Sequence, residues 1–374
     1  MWKLPYYDIE KGIDWTSLQK YRWFSDMEKT PQDPIWHAEG NVQIHTKRVC
    51  EELIKLPEFQ ELSEQDKHIL LTSALFHDIE KRSTTTEEVI DNLVRIVAPS
   101  HAKRGEKTAR ELLYVKYNTP YHIREEICKL VRYHGLPLWN IDDSTHLKVI
   151  ESSLYVRNNL LTMLAKADIL GRECEDKGEQ LEKIDFFKLL CEENECLYTE
   201  KKFKNNLSRH KFLNEGGWSG MDIYDDKEFT VYVMSGIPGS GKDTYISKFL
   251  SDIRSISLDD IRRERGVKIK DKKENGRVIQ IAKEHCKENL RIKESFVFNA
   301  TNISKDMRSK WINLFLEYGA KVEIIYIESN YKDLLKQNSD RDYKVPETYI
   351  QKMLSKLDIP TYDESHNLKV ILNN

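Results

Sequence analysis

The chain has 374 residues, with 59 Lys plus Arg against 62 Asp plus Glu for a net charge of −3, and 39% of it is hydrophobic and 10% aromatic. At roughly 150 residues per domain this length predicts two cores rather than one. The near-neutral balance excludes a polybasic coat for long nucleic acids but leaves room for a local basic groove. Extensive disorder is not expected without Pro, Gly, Ser or Gln tracts. No run reaches the roughly 18 apolar residues of a membrane span, and the start MWKLPYYDIEKGIDW lacks the basic and apolar regions of a secretion signal. Cys50, Cys128, Cys174, Cys191, Cys196 and Cys286 form no CxxC pair, so reduced thiols in a soluble cytoplasmic protein are expected, with no membrane partner.

From about residue 14 to 200 the texture predicts helix almost throughout. Apolar residues recur at spacings of three and four in Val42, Ile44, Val49, Leu53 and Ile54, then in Leu70, Leu71, Ala74 and Leu75, then in Leu112, Leu113 and Val115. Ser63, three residues ahead of Asp66, and Ser100, ahead of HAKRGEKTARELL, are predicted N-caps. Pro120 suits the opening of the next helix, and Gly135-Leu-Pro137 stops it. His77-Asp78 sits late in an apolar helix, His45 lies on an earlier helix, and Asp168 falls near the end of LLTMLAKADILGR. Two imidazoles and two carboxylates in a helical bundle suit a divalent transition metal, with open positions left for water and phosphate. His134, close to a helix end, also has a plainer reading as a charge that complements the helix dipole. His37 is expected to touch substrate or to cap the first helix, and His68, His122 and His146 to lie on the surface.

Taken together, His45, His77-Asp78 and Asp168 resemble the HD phosphohydrolase signature over roughly residues 35 to 200. The resemblance implies that these four hold a first metal. It further implies that His101 and His134 correspond to the extra histidines of two-metal members, and that Lys81 steadies a phosphate or leaving group. Glu80 stands where that family usually has glycine.

The stretch 212–226 contains Gly216, Gly217 and Gly220 and no helical stripe. It is read as a boundary, giving a first domain over 1–215, a linker over 216–228 and a second domain over 229–374. In the second domain FTVYVMS, RSIS, SFVFNA and KVEIIYIES predict strands between helical stretches, the alternation of a parallel sheet. The expected fold class is therefore an all-α bundle followed by an α/β domain. Charge divides unevenly, with 33 basic and 41 acidic residues up to 228 (−8) and 26 and 21 thereafter (+5).

Gly236-Ile-Pro-Gly-Ser-Gly-Lys-Asp243 follows the first of these strands and precedes a helix, the context of a phosphate-binding loop. Gly236, Gly239, Ser240 and Gly241 let backbone N–H groups curl around phosphate oxygens, and Lys242 neutralises them. Asp243 replaces the hydroxyl that ordinarily ligates Mg²⁺, so the neighbouring Thr244, or a water under Asp243, has to substitute. Strand RSIS runs into Leu258-Asp259-Asp260-Ile261-Arg262. There Ser257 and Asp260 read as a capping box, Asp259 can reach an attacking hydroxyl, and Arg262 can bind a phosphate of the acceptor. The run 254–277, nine basic against five acidic residues, reads either as a nucleic-acid track or as a solvated face.

Residues 229 to about 360 resemble the phage-type polynucleotide 5′-kinases: GxPGSGK, a strand before DDxR, a strand before Thr301-Asn302, and a lid with Asn338-Ser339-Asp340-Arg341 ahead of Val345-Pro346. The resemblance implies that Asp259 is the general base, that Arg262, Thr301 and Asn302 meet the polynucleotide, and that Arg341 clamps the donor phosphates. Gln337 and Ala300 depart from the family pattern. The whole chain is similar to the HD-Pnk end-healing enzymes. That implies NTP-dependent phosphorylation of 5′-OH ends and removal of 2′,3′-cyclic, 2′- and 3′-phosphates. The kinase would use ATP or another NTP with Mg²⁺, and the HD module Mn²⁺, Ni²⁺, Co²⁺ or Zn²⁺. Implied partners are RNA or DNA ends and a ligase that seals them, and a homodimer is compatible. Two rivals stay open: a nucleotide-clearing HD hydrolase joined to a nucleoside or small-molecule kinase, and a non-catalytic HD module that recruits or dimerises the kinase.

Overall fold

The computed structural model describes residues 1–8, 11–139, 144–268, 271–341 and 343–373. They form two compact units, Met1–Lys202 and Phe203–Asn374.

The first unit is a helical bundle whose principal helices are α1 (Val42–Lys55), α2 (Glu64–Phe76), α3 (His101–Val115), α4 (Tyr121–Tyr133), α5 (Asn158–Gly171) and α6 (Lys177–Glu193). Their apolar stripes meet in one core that includes Val49, Leu53, Leu70, Leu75, Leu113, Val131 and Leu161. Two small residues set the helix spacing that matters for the site. A Cβ on Gly171 would lie 2.9 Å from the backbone nitrogen of Val49, so only glycine lets α5 come this close to α1. A Cβ on Gly105 would meet Val131 Cγ1 at 3.1 Å, which sets α3 against α4.

Ser63 caps α2 as expected, its Oγ accepting the Asp66 N–H at 3.2 Å. Ser100 does not cap α3: it is left-handed (φ 59°) and its side chain makes no cap bond. The ring of His101 turns back instead and bonds the Ala98 carbonyl at 2.7 Å. His68, expected at the surface, is buried, and its Nδ1 accepts the Leu4 N–H at 3.2 Å. The expectation of helix also fails at Thr86–Val97, where β1 (Thr86–Ile90) and β2 (Leu93–Val97) form an antiparallel hairpin. Asp91 and Asn92 at its tip both have positive φ, 52° and 62°, the two-residue turn that suits the right-handed twist of paired strands. Most of the hairpin is exposed on both faces, which removes the alternating pattern by which strands are read.

The second unit begins with α7 (Asn206–Glu215), ahead of the expected linker. Asn206 Nδ2 bonds Asn367 Oδ1 and Asn214 Nδ2 bonds the Asp363 carbonyl, each at 2.9 Å. These polar contacts span most of the unit's sequence, so local composition does not reveal them, and the glycines at 216–220 follow this helix within the unit.

A five-stranded parallel sheet is built from β3 (Thr230–Ser235), β4 (Ser255–Ser257), β5 (Phe296–Asn299), β6 (Lys321–Ser329) and β7 (Asn367–Asn373), in the order β4-β5-β3-β6-β7. Four of these were expected, and β7 is an addition that pairs along β6 from Glu323↔Asn367 to Ser329↔Asn373. Helices α8 (Lys242–Phe249), α9 (Leu258–Glu264), α10 (Lys272–Arg291), α11 (Lys305–Glu317) and α12 (Tyr331–Ser339) connect or follow the strands. Val231, Val233, Phe296, Phe298, Val322 and Ile324 fill the centre of the sheet, as expected for parallel strands covered on both faces. Because the strands are parallel, the phosphate loop after β3, Asp259 after β4 and Thr301 after β5 arrive at the same edge.

Beneath that edge Arg308 of α11 is fully buried. Its Nε and Nη2 bond Glu364 Oε2 and Oε1 at 2.7 and 2.8 Å, and its Nη1 bonds the carbonyls of Asn302 and Asp358 at 3.0 and 2.8 Å. Among the described residues no helix is long and apolar enough to cross a membrane.

Candidate metal centre and phosphate-loop site

In the first unit five helices deliver the expected residues to one cluster, buried except at His101: His45 from α1, His77-Asp78 from the end of α2, His101 from the start of α3, His134 from the end of α4 and Asp168 from α5. His45 Nε2 lies 3.0 Å from Asp168 Oδ1 and 3.3 Å from His77 Nε2. His101 Nε2 lies 3.4 Å from His134 Nε2. Asp78 stands between the two groups. Its Oδ2 is 3.2 Å from His77 Nε2, and its Oδ1 is 3.4 and 3.8 Å from the Nε2 atoms of His101 and His134.

Three of the rings are fixed in the same way. Nδ1 of His77, His101 and His134 bonds the backbone carbonyl three residues earlier, that of Ala74, Ala98 and Val131, at 2.7, 2.7 and 2.8 Å. A carbonyl can only accept, so these Nδ1 atoms carry a proton and each Nε2 is the ring nitrogen that faces the cluster.

Ring nitrogens and carboxylate oxygens packed this closely require positive charge among them, from protons or from a metal ion. Buried Asp78 Oδ1 also has no hydrogen-bond partner. The donor set fits divalent metal in two adjoining groups, His45 with His77 and Asp168, and Asp78 with His101 and His134, and a third trio of His37, Glu39 and His45 lies behind the first, sharing His45. Burial would push the Asp78 carboxyl up, but Lys81 and His77 outweigh it and hold the group well below the usual range, so it is anionic. Burial, reinforced by His77 and His101, pushes His134 down to about 3. His134 is thus a neutral donor, and the reading as a dipole-complementing charge is set aside.

Lys81 Nζ reaches Asp78 Oδ2 at 2.7 Å and Gln32 Oε1 at 2.8 Å, which places an ammonium at the edge of the cluster. Glu80 needs no glycine conformation (φ −103°). Its carboxylate accepts from Arg82 at 2.7 Å and from Thr108 at 2.9 Å, tying the turn to α3. Sequence reasoning missed Arg172, which grips Asp168 at 3.1 and 2.6 Å, and Glu39, whose Oε1 lies 2.8 Å from His37 Nδ1 and 2.9 Å from His45 Nδ1. Arg172 was legible as a partner four residues beyond an aspartate on one helix face. His37 neither caps the helix, which Asn41 does, nor stands free. His122 and His146 are exposed as expected.

In the second unit the phosphate loop has the strain its glycines predict: φ is 149° at Gly236, 86° at Gly239 and 96° at Gly241. A Cβ at Gly236 would come within 2.4 Å of the Ile327 carbonyl oxygen, which seats the loop directly on β6. Lys242 is buried and folds back on its own loop, Nζ bonding the Gly236 and Ile237 carbonyls at 2.8 and 3.2 Å. Burial pulls its ammonium down to about 8, Asp243 and Asp259 oppose that, and Arg341 adds to it. Ser240 Oγ is buried without a partner. A lysine satisfied only by its own loop and an orphaned hydroxyl at a helix N-terminus fit a phosphate group.

Asp243 bridges the site: Oδ1 accepts from Asn299 Nδ2 at 2.9 Å, and Oδ2 lies 3.4 Å from Arg341 Nη2. Arg341 is thereby brought to the loop from the expected lid. Thr244, the hydroxyl considered as a substitute, is exposed and stands about 100° further round the helix.

Ser257 caps α9 as expected, its Oγ accepting the Asp260 N–H at 3.1 Å, while Asp260 pairs with Arg263. Asp259 pairs with Arg262, whose Nε bonds Asn275 Oδ1 at 2.8 Å. Asp259, Arg262, Thr301 and Arg341 line one cavity of about 1200 Å³, together with Pro238 of the loop. Asn302 borders this cavity, but its side chain is not available to a polynucleotide. It is buried and donates to the Met234 carbonyl at 2.8 Å, so it braces β3 under the loop. Thr301 gives its carbonyl to the Gly236 N–H at 2.9 Å. Of the basic run 254–277, Ile269 and Lys270 lie outside the described residues.

Comparison with known proteins divides the chain along the same lines. Residues 41–162 match the family model described as HD domain. Residues 231–360 match the model described as AAA domain. Two solved structures resemble the chain in part. The structure of a "putative kinase" from Chloroflexus aurantiacus is 15% identical, spans 39% of this chain and 86% of that one, and gives a TM-score of 0.33. That of an unliganded sugar kinase from Janibacter sp. HTCC2649 is 19% identical, spans 38% and 84%, and gives 0.30.

Proposed function

We propose that this chain, an HD hydrolase-type domain fused to a P-loop kinase-like domain, heals nucleic-acid ends. One unit phosphorylates a 5′-OH from an NTP, and the other removes 2′,3′-cyclic, 2′- and 3′-phosphates, so that a ligase can act. The observation that most supports the acceptor is the cavity bordered by the phosphate loop, Asp259, Arg262 and Arg341. At about 1200 Å³ it exceeds the roughly 300–1,000 Å³ typical of small-ligand pockets, and its wall includes Trp311, Tyr343 and Tyr349. Aromatic faces beside arginines suit a strand end with bases and phosphates.

In the kinase unit Asp259 accepts the proton of the 5′-OH as that oxygen bonds the γ-phosphorus, and the bond to the β–γ bridging oxygen breaks to release the nucleoside diphosphate. Lys242 exchanges its carbonyl bonds for donor phosphate oxygens. Arg341 passes from Asp243 to the transferring group, and Arg262 orients the acceptor. Mg²⁺ near Asp243 would offset phosphate charge.

In the HD unit His45, His77, Asp168 and Asp78 Oδ2 would hold one divalent ion, and Asp78 Oδ1, His101 and His134 another. Such ions supply Lewis acidity toward phosphate and acidify water. Lys81 steadies the phosphate while water adds at phosphorus and the P–O bond to the ribose oxygen breaks. To serve as ligands the histidines would have to present unprotonated Nε2 atoms.

The test is an RNA oligonucleotide with 5′-OH and 2′,3′-cyclic phosphate ends, incubated with ATP, Mg²⁺ and Mn²⁺ and read by mass spectrometry. The 5′ end should gain a phosphate, and the 3′ end should open and lose its own. A free nucleoside phosphorylated as well as the oligonucleotide, with the 3′ end untouched, refutes the reading.

A further inference from the structure

We propose that Glu39 is a positioning residue that makes the two halves of the histidine–aspartate cluster unequal. The His45–His77–Asp168 half would hold its ion tightly and the Asp78–His101–His134 half loosely. The inference rests on the divalent-metal reading of the cluster.

The asymmetry lies behind the rings. His77, His101 and His134 lean on neutral backbone carbonyls, whereas the Nδ1 of His45 faces the Glu39 carboxylate at 2.9 Å. The Glu39 side chain is wholly buried (0% exposed). Its Oε1 is shared with His37 Nδ1 at 2.8 Å, and its Oε2 accepts the Glu173 N–H at 2.8 Å. Hydrogen bonds from His37 and from the Glu173 N–H thus engage the carboxylate, with His45 Nδ1 alongside, which places Glu39 behind His45, on the ring nitrogen opposite the one that meets Asp168 and His77. A carboxylate on the far nitrogen fixes the ring and makes the near nitrogen a stronger donor.

Charge sharpens the difference. Arg172 pairs with both oxygens of Asp168, and Lys81 pairs with Asp78, so the acids that face the cluster are each offset by a cation. Glu39 is the anion beside the first half that no lysine or arginine among the described residues contacts within ion-pair distance. The second half has one carboxylate oxygen and two imidazoles backed by carbonyls, and the side chain of His101 is 24% exposed, open to water that competes for an ion.

Glu39→Gln keeps the shape and removes the function. An amide has one acceptor oxygen, so it cannot satisfy both the imidazoles and the Glu173 N–H at once. The experiment is a titration of the metal-free full chain with Co²⁺ alone, followed by visible absorption and equilibrium dialysis. Wild type should bind two ions in two classes separated by at least about tenfold. Glu39→Gln should weaken the tight class by about 10–100-fold, the range for loss of such a supporting contact, and leave kinase activity unchanged. His101→Ala should abolish the weak class and leave the tight one.

Two equal classes in wild type overturn the inference, as does an unaltered tight class in a folded Glu39→Gln protein. Should that variant fail to fold, His101→Ala still decides, since loss of the tight ion in it reverses the assignment. A wild-type chain that binds no Co²⁺ overturns the metal reading itself, an outcome distinct from two equal sites.

Discussion

Replacing Glu364 with Gln tests whether the kinase-like unit depends on the buried pair under its phosphate loop. Arg308 is fully buried and holds Glu364 through two bonds of 2.7 and 2.8 Å. Removing one partner of a buried pair leaves a charge without its counter-ion and costs about 3–5 kcal/mol. Gln retains one acceptor and the carbonyls of Asn302 and Asp358 remain, so we expect about 3 kcal/mol, the low end of that range. At roughly 2–4 °C per kcal/mol for a unit of this size, the loss is roughly 6–12 °C. The Asn302 carbonyl also accepts from Ser235 Oγ at 2.9 Å, directly before the loop, so kinase activity should disappear over the same shifted range. Heating the full chain and assaying the two activities separately isolates the effect, because 3′-end hydrolysis should keep its wild-type profile. Arg308→Met with Glu364→Leu removes both charges together and should recover part of the loss. A shift below about 2 °C in Glu364→Gln, or a double variant no better than the single one, refutes the reasoning.

Lys242 is pulled down to about 8, so its cation is present below that pH and lost above it. In the free enzyme, kcat/KM for the NTP should therefore fall about tenfold per pH unit beyond it, and a flat profile from about pH 7 to about pH 9.5 would contradict the burial argument. Asp259→Ala should lower 5′-phosphorylation by about 10²–10⁴-fold with 3′-end hydrolysis intact, and wild-type phosphorylation would exclude Asp259 as the base. Gly236→Ala forces a Cβ to 2.4 Å from a backbone oxygen in a left-handed conformation, so NTP affinity measured by calorimetry should drop at least about tenfold. Unchanged affinity would show that the loop can move off β6.

Much of both centres was legible because the chemistry lies in short motifs whose elements are strongly periodic. The His77-Asp78 dipeptide, the glycine spacing of the loop and the Asp259–Arg262 interval survive any error in helix ends. Their supports were not legible, since those depend on distance in the fold rather than in the chain. Glu39 meets His45 across a loop, Arg308 meets Glu364 from 56 residues away, and Gly171 acts through Val49 on another helix. Asp243 looked like a local substitution and proved to join two segments, Asn299 and Arg341. The β1–β2 hairpin carried a readable signal, Asp91-Asn92 between β-branched runs, which the surrounding helical texture obscured. Strand β7 pairs fully with β6, but its sequence NLKVILN shows no clean alternation.

The histidines that close α2 and α4 carry one further implication. His77 and His134 are the residues at which those helices stop, and each ring bonds a carbonyl of the last turn, on a residue buried away from solvent. The bond that chooses the ring's tautomer is therefore also the bond that keeps the helix from fraying. Unwinding either end by a single turn would rotate the ligand away and let its proton migrate to the wrong nitrogen. Amide exchange at the last turns of these two helices and the rate of metal release should consequently rise together, so that a backbone measurement reads the state of the inorganic site.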